Sequence, residues 1–285
     1  MNVKVAETAG FCFGVDRAVS TVYKECEKQA GPIYTFGPVV HNEIVTSDLE
    51  KKGVRVLNSE EEVAALTEGT VIIRAHGVSK AFYDILEGKG IKYVDATCPF
   101  VRKIHKIVKE ESEKGRFIIV VGDPDHPEIK GVCGWCNPAK LLVIRNTDEA
   151  EKLDISKDLK ICIVSQTTFN YMNFQEIVEI ISKKGYDINC LNTICSATKQ
   201  RQQEASELAS CSDAMIVIGG KESSNTQKLY KICLEKCANT YYIQTLDDLD
   251  LRQLGLFENV GITAGASTPK NIIEEVQKNV RRDEF

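Results

Sequence analysis

One order of parts recurs three times along this chain, and that repetition constrains the fold more than any other feature. Each copy opens with a cysteine at the start of a helical pattern: Cys12 in GFCFGVDRAVSTVYKECEK, Cys98 in ATCPFVRKIHKIVKEESEKG and Cys195 in TICSATKQRQQEASELAS. An apolar strand running into a polar loop follows, in IYTFGPVVHNE, FIIVVGDPDHPE and AMIVIGGKESSN. A strand ahead of an acidic helix start comes next, in VRVLNSEEEVAAL, LLVIRNTDEAEKL and YYIQTLDDLDLRQL, where Ser59 and Glu62 fit a capping box. The last part is a strand, a second polar loop and a helix: VIIRAHGVSKAFYDILEGKG, ICIVSQTTFNYMNFQEIVEIISKKG and VGITAGASTPKNIIEEVQKNV.

The opening cysteines lie 86 and 97 residues apart, the length of one supersecondary unit with loop insertions. Short β-branched runs alternating with amphipathic helices predict an α/β fold on mainly parallel sheets. Strands this apolar are expected to be covered on both faces. In the first two copies the final helix is followed by a strand leading into the next cysteine, IKYVDATC and YDINCLNTIC. The third copy lacks that strand, and the N-terminal NVKVAETAGFC has the same form. The expected architecture is a closed trefoil of three pseudo-three-fold related α/β lobes, each with a small, mainly parallel sheet. Its lobes are 12–97, 98–194 and 195–285, the last completed by the N-terminal strand of 1–11. The closing RRDEF reads as a charged, solvated tail.

Eleven cysteines need a chemical account. The start, MNVKVAETAG, has no basic region followed by an apolar core, so the expected location is cytoplasmic, where thiols stay reduced. That argues for thiolate chemistry or metal binding rather than disulfides. With 36 basic and 41 acidic residues, a net −5, no nucleic-acid partner is expected. No stretch approaches the roughly 18 apolar residues of a membrane span. Helix N-termini stabilise a thiolate, and Pro99 suits a first helical position. Cys12, Cys98 and Cys195, on equivalent positions about a three-fold axis, would converge. Three thiolates suit a zinc site with an open position or a [4Fe–4S] cluster with one iron lacking a cysteine. Zinc ligands usually come in local pairs, so spacings near 90 residues favour a central cluster. Cys26, Cys162, Cys190, Cys211 and Cys233 read as core. Cys133 and Cys136 form a lone CxxC, weak evidence for a second metal or redox pair, and Cys237 has no assigned role.

In parallel α/β lobes ligands bind beyond the carboxyl ends of the strands. The first set of loops there offers His41, then His126 with Glu128, then Ser223, Ser224 and Asn225; the second offers His76, Thr167 with Thr168, and Ser267. Three of the chain's four histidines occupy these positions. The fourth, His105, lies mid-helix and reads as structural or surface. Histidines, hydroxyls, Asn225 and helix-terminal N–H groups make an expected phosphate-binding ring, which Arg74 and Lys221 flank. The absence of a GxxxxGK[ST] loop disfavours a nucleoside triphosphate. Glu128 is expected to be held protonated near an anionic centre and to act as a general acid, with Thr167 relaying or orienting the proton.

The ordered set GFCFGVDRA, VVHNEIV, AHGVS, DATCPFV, HPEIKG, SQTTF, ESSN and TAGAST, spread over about 1–280, resembles the 4-hydroxy-3-methylbut-2-enyl diphosphate reductases, an iron–sulfur family of the non-mevalonate isoprenoid pathway. The resemblance implies an oxygen-sensitive [4Fe–4S] cluster on Cys12, Cys98 and Cys195, and a small-molecule allylic diphosphate substrate. It implies two-electron removal of the allylic hydroxyl as water, giving isopentenyl and dimethylallyl diphosphate. It also implies Glu128 as proton donor and Thr167 at the substrate, with His41, His76, His126, Ser223, Ser224, Asn225 and Ser267 holding or lining the diphosphate. Ferredoxin or flavodoxin is the implied electron donor. Departures are small: Phe13 stands where relatives often have a smaller residue, and Pro124 and Asp125 lie in a variable loop. Another three-lobed cluster enzyme of the quinolinate synthase type would call for arginines to hold a dicarboxylate. A cluster protein acting only as electron carrier or redox sensor would ordinarily use a fourth cysteine.

Overall fold

A computed structural model describes residues 1–281; the last four residues of the expected solvated tail lie outside the described part. The first strand, β1 (Asn2–Val5), leads to α1 (Phe13–Glu27). There follow β2 (Ile33–Phe36), α2 (Glu43–Lys51), β3 (Val54–Leu57), α3 (Glu60–Ala64), β4 (Thr70–Ile73), α4 (Lys80–Gly88) and β5 (Lys92–Asp95). The order repeats in α5 (Pro99–Glu113), β6 (Phe117–Val121), α6 (Pro127–Cys133), β7 (Leu141–Ile144), α7 (Thr147–Glu151), β8 (Lys160–Ser165), α8 (Tyr171–Lys183) and β9 (Asp187–Cys190). It repeats again in α9 (Ser196–Ser210), β10 (Ala214–Ile218), α10 (Ser224–Leu234), β11 (Thr240–Ile243), α11 (Leu251–Leu254), β12 (Asn259–Ala264) and α12 (Lys270–Val280).

The fold is α/β, with three four-stranded sheets in the orders β3-β2-β4-β5, β7-β6-β8-β9 and β11-β10-β12-β1. Every pairing is parallel. The three orders superpose part for part, and β1 holds in the last sheet the place that β5 and β9 hold in the others. The N-terminal strand therefore completes the C-terminal sheet, with Val3 in register with Val260.

Strand residues alternate between two faces, and helices cover both. On β6, Ile119 and Val121 pack with Phe174, Ile177 and Ile181 of α8, whereas Ile118 and Val120 pack with Ile104 and Val108 of α5 and Ile129 and Val132 of α6. On β10, Ala214, Ile216 and Ile218 face Ile272, Ile273 and Val276 of α12, while Met215 and Val217 face Ala205 and Leu208 of α9 and Leu229 of α10. Each of these buried isoleucines is worth roughly 1.5–3 kcal/mol against exposure. Two-sided burial fails at the outer strands: β5 and β9 contain no fully buried residue. Cys190, expected in the core, is exposed because it ends such an edge strand, and Cys211 is exposed at the turn that closes α9.

The acidic helix starts repeat one local device. Glu62, Glu149 and Asp248 each accept the backbone N–H four residues earlier, from Asn58, Arg145 and Gln244 at 2.8, 2.7 and 2.8 Å. Ser59 accepts the Glu62 N–H at 3.2 Å, and the returning carboxylate binds one residue before the cap rather than at it. The chain divides into two compact units: Met1–Asp16 with Val40–Asp48 and Ser196–Phe285, and Arg17–Val39 with Leu49–Cys195. The first contains the sheet completed by β1, the second the other two.

Candidate functional site

Cys12, Cys98 and Cys195 each directly precede or cap a helix, α1, α5 and α9 respectively. All three use one backbone anchor. The N–H of Cys12 donates to Ala266 O at 3.2 Å, that of Cys98 to Ala75 O at 2.9 Å, and that of Cys195 to Thr167 O at 3.1 Å. Each acceptor lies two residues past the end of its strand, β12, β4 or β8. The fourth-strand loop of one repeat thus seats the cysteine that opens the next, and the loop of the third repeat seats Cys12. The Cys98 side chain makes no capping bond to its helix. All three thiols are partly exposed, and no disulfide joins any of the eleven cysteines.

The backbone ahead of each cysteine is pinned by side chains that sequence reading passed over. In the first unit, buried Arg201 donates to Gly10 O at 2.9 Å and Ala264 O at 2.7 Å. Glu204 accepts the N–H groups of Glu7 and Thr8 at 2.6 and 2.9 Å, and the Thr8 hydroxyl. In the second unit Arg17 reaches Thr97 O at 2.9 Å and Asp95 O at 3.3 Å, just ahead of Cys98. Ahead of Cys195, Thr193 Oγ1 accepts the Ser165 N–H at 2.7 Å and donates to Ser165 O at 2.6 Å. The signal available for the arginines was a basic side chain in the first two turns of α1 and of α9, too common a feature to single out.

In the second unit Glu128 is 2% exposed and receives two hydrogen bonds from Thr167. His126 caps α6, its Nδ1 accepting the Glu128 N–H at 3.1 Å. A backbone N–H can only donate, so Nδ1 carries no proton and Nε2–H is the donor of the neutral ring. The His76 ring meets that of His126 edge to face at 5.2 Å. The loops bearing them are zippered together: Trp135 Nε1 donates to Val78 O at 2.9 Å and the Lys80 N–H to Gly134 O.

That zipper accounts for the CxxC segment. Burial pushes the Cys133 and Cys136 thiols up to about 11 and about 12, so neither is a ready thiolate. Trp135 between them stacks on His105 at 5.1 Å. His105 is buried rather than at the surface, and desolvation lowers it to about 4. Gly77, at φ +70°, leaves room for this ring: a Cβ there would stand 2.5 Å from His105 Cε1. Arg74, two residues before His76, lies over the Phe36 ring at 5.8 Å; burial lowers it to about 10, and its Nε has no hydrogen-bond partner. Lys221 is exposed.

In the first unit His41 and Ser223 each stand five residues past a strand end, of β2 and β10, the same offset as His126 from β6. Ser267 is the third residue past β12, as His76 is past β4 and Thr168 past β8. Ser267 Oγ donates to His41 O at 3.2 Å. Gly220 lies against the same carbonyl, which a Cβ there would meet at 2.6 Å. Ser223 Oγ accepts from the N–H and the hydroxyl of Thr226 at 3.3 and 2.9 Å, leaving its own O–H to donate. Ser224 Oγ accepts from Lys228 Nζ at 2.8 Å. Asn225 is 5% exposed, and its buried Nδ2 has no acceptor in the protein. Donors without acceptors at a helix start suit a ligand that only accepts, as a phosphate does.

The family model described as LytB protein matches residues 3–281. A 4-hydroxy-3-methylbut-2-enyl diphosphate reductase of Caldanaerobacter subterraneus subsp. tengcongensis is 46% identical over 282 residues, covering 99% of this chain and 97% of that protein. One of Clostridioides difficile is 46% identical over 276 residues, covering 97% and 98%. Among solved structures, the E-1-hydroxy-2-methyl-but-2-enyl-4-diphosphate reductase of Plasmodium falciparum aligns with a TM-score of 0.94 at 29% identity, over 100% of this chain and 89% of that one. A second, described as (E)-4-hydroxy-3-methyl-but-2-enyl diphosphate reductase, the terminal enzyme of the non-mevalonate pathway, aligns with a TM-score of 0.71 at 39% identity, over 99% of both chains.

Proposed function

The chain belongs to the LytB protein family, and from that premise we propose that it reduces 4-hydroxy-3-methylbut-2-enyl diphosphate to isopentenyl and dimethylallyl diphosphate. Two electrons and two protons enter, and the allylic hydroxyl leaves as water. The observation that carries this reading is the pairing of two features: three cysteines on identical backbone anchors, and a buried Asn225 amide with an available Ser223 hydroxyl at the start of α10.

Cys12, Cys98 and Cys195 fit a [4Fe–4S] cluster as its ligands. The donor set is three soft sulfur atoms at helix starts, and zinc cannot supply electrons. When bound, such a cluster supplies one-electron transfers and, at the iron without a cysteine, a Lewis-acid position.

The protein's own groups do the rest. Asn225 Nδ2 and the Ser223 hydroxyl donate to the diphosphate, with Ser224, Ser267, His41 and His76 completing its pocket. His126 presents Nε2–H while its Nδ1 is held by α6. Glu128 gives a proton to the departing hydroxyl, and Thr167, bonded to both carboxylate oxygens, fixes its direction and passes the proton. Among the described residues no helix is long and apolar enough to cross a membrane; the chain works in the cytoplasm and draws electrons from ferredoxin or flavodoxin. Its lobes of function are 12–97, 98–194 and 195–285 with 1–11.

The test is anaerobic oxidation of reduced methyl viologen by the reconstituted protein on the hydroxylated diphosphate, with products identified by mass. Formation of both five-carbon diphosphates supports the reading; viologen oxidation that stays at background contradicts it.

A further inference from the structure

Helix α5 carries its charges in the order that an isolated helix disfavours. From Pro99 to Lys109 it has four basic side chains, Arg102, Lys103, Lys106 and Lys109, and no acidic one; Glu110, Glu111 and Glu113 all follow. Positive charge near a helix N-terminus and negative charge near its C-terminus both oppose the macrodipole. The pairs Lys106–Glu110 and Lys109–Glu113, at 3.8 and 3.9 Å, run in the weaker order, with lysine first. Exposed pairs of this kind hold little energy. The side chains of Lys106 and Lys109 are 75% and 48% exposed, and Lys103 is exposed too.

Helix stability does not explain this row, in a chain whose net charge is −5. Nor does packing: α5 meets its sheet through Val101, Ile104 and Val108, on the opposite face. One turn before Lys103, Phe100 is 41% exposed, two residues after Cys98. An exposed cationic row suits a polar contact with a partner of opposite charge.

We propose that this face of α5 docks an acidic one-electron carrier protein, with Lys103 and Lys106 under the contact, Lys109 on one flank and Phe100 on the other. The proposal rests on the reductase reading. It adds the place where electrons enter. Charge complementarity names the occupant: cations on this face steer an acidic partner and set its orientation. Lys106 stands about 12 Å along the helix from Cys98 at 1.5 Å per residue, so a carrier seated here lies beside a proposed cluster ligand. Two reduced carriers dock in turn, each losing one electron. The substrate gains two electrons and two protons and releases one water. Arg102 is left out of the row because Asp95 holds it at 2.9 Å.

The experiment compares wild type with Lys103→Glu/Lys106→Glu, using a reduced acidic [2Fe–2S] ferredoxin and, separately, reduced methyl viologen. Ferredoxin binding is also measured by calorimetry at low and high salt, without substrate. The proposal predicts a rise in ferredoxin KM and Kd of roughly tenfold or more, weaker salt dependence in the variant, and viologen turnover within about twofold of wild type. Unchanged ferredoxin binding overturns it. So does an equal loss with viologen, which assigns the lysines to the metal centre or the fold, and so does lysine-dependent binding to duplex DNA or anionic vesicles with none to ferredoxin. Absent viologen turnover in wild type contradicts the reductase reading instead, while the calorimetry still decides the docking face.

Discussion

Thr167 binds Glu128 twice, its backbone N–H donating to Oε1 and its hydroxyl to Oε2, both at 2.7 Å. The carbonyl of the same residue takes the Cys195 N–H at 3.1 Å. One loop residue therefore fixes both the only carboxylate among the proposed site residues and the seat of a proposed metal ligand. Glu128 is thereby held buried in one orientation, with both carboxylate oxygens engaged.

Glu128→Gln keeps an acceptor for the Thr167 N–H and removes the proton. Turnover with reduced viologen is expected to fall about 10²- to 10⁴-fold, with visible absorption and iron content unchanged. Near-normal turnover would take Glu128 out of the chemistry.

Asn225→Ala removes a buried donor that has no acceptor in the protein. A bond from it to a diphosphate oxygen is worth about 1.5–3 kcal/mol, so substrate Kd is expected to rise roughly 10- to 150-fold. Stability by denaturant midpoint is expected to change by less than about 1 kcal/mol, because no internal bond is lost. A large stability loss with unchanged Kd would mean that the amide serves the fold.

Cys133→Ala combined with Cys136→Ala leaves the Trp135–Val78 bond and the His105 stack in place. Iron content and turnover are expected to match wild type within about twofold. Loss of iron in this variant alone would revive the pair as a metal site.

His105 gives a signed pH dependence. Its folded value of about 4 lies below the ordinary 6.5 because burial disfavours the imidazolium. The unfolded chain takes up the proton first as pH falls, so the stability that His105 contributes is complete above about 6.5 and is lost between 6.5 and 4. The loss is on the order of 3 kcal/mol. His105→Gln is expected to flatten that part of the stability profile measured by urea unfolding. An unchanged slope would assign acid sensitivity elsewhere.

Much of this was legible because the repeat sets offsets as well as element order. His41, His126 and Ser223 fall five residues past their strands, and the missing twelfth strand was recognisable in NVKVAETAGFC. What was hidden depended on contacts between distant segments. Trp135 and Gly134 hold the His76 loop from some 57 residues away, and Arg201 reaches Gly10 across 191. Cys190 and Cys211 looked like core because an apolar strand and a helix carry them, but their positions at an edge strand and a helix end leave them in solvent. Periodicity reports which face of an element is apolar; it does not report which strands lie at a sheet's edge.

Iron and acid-labile sulfide per chain, measured on anaerobically reconstituted wild type and on Cys12→Ser, Cys98→Ser and Cys195→Ser, test the central claim most directly. The account predicts about four of each in wild type and a clear loss in every one of the three variants. Wild type without iron, or full iron retained when any one of these cysteines is replaced, would contradict it.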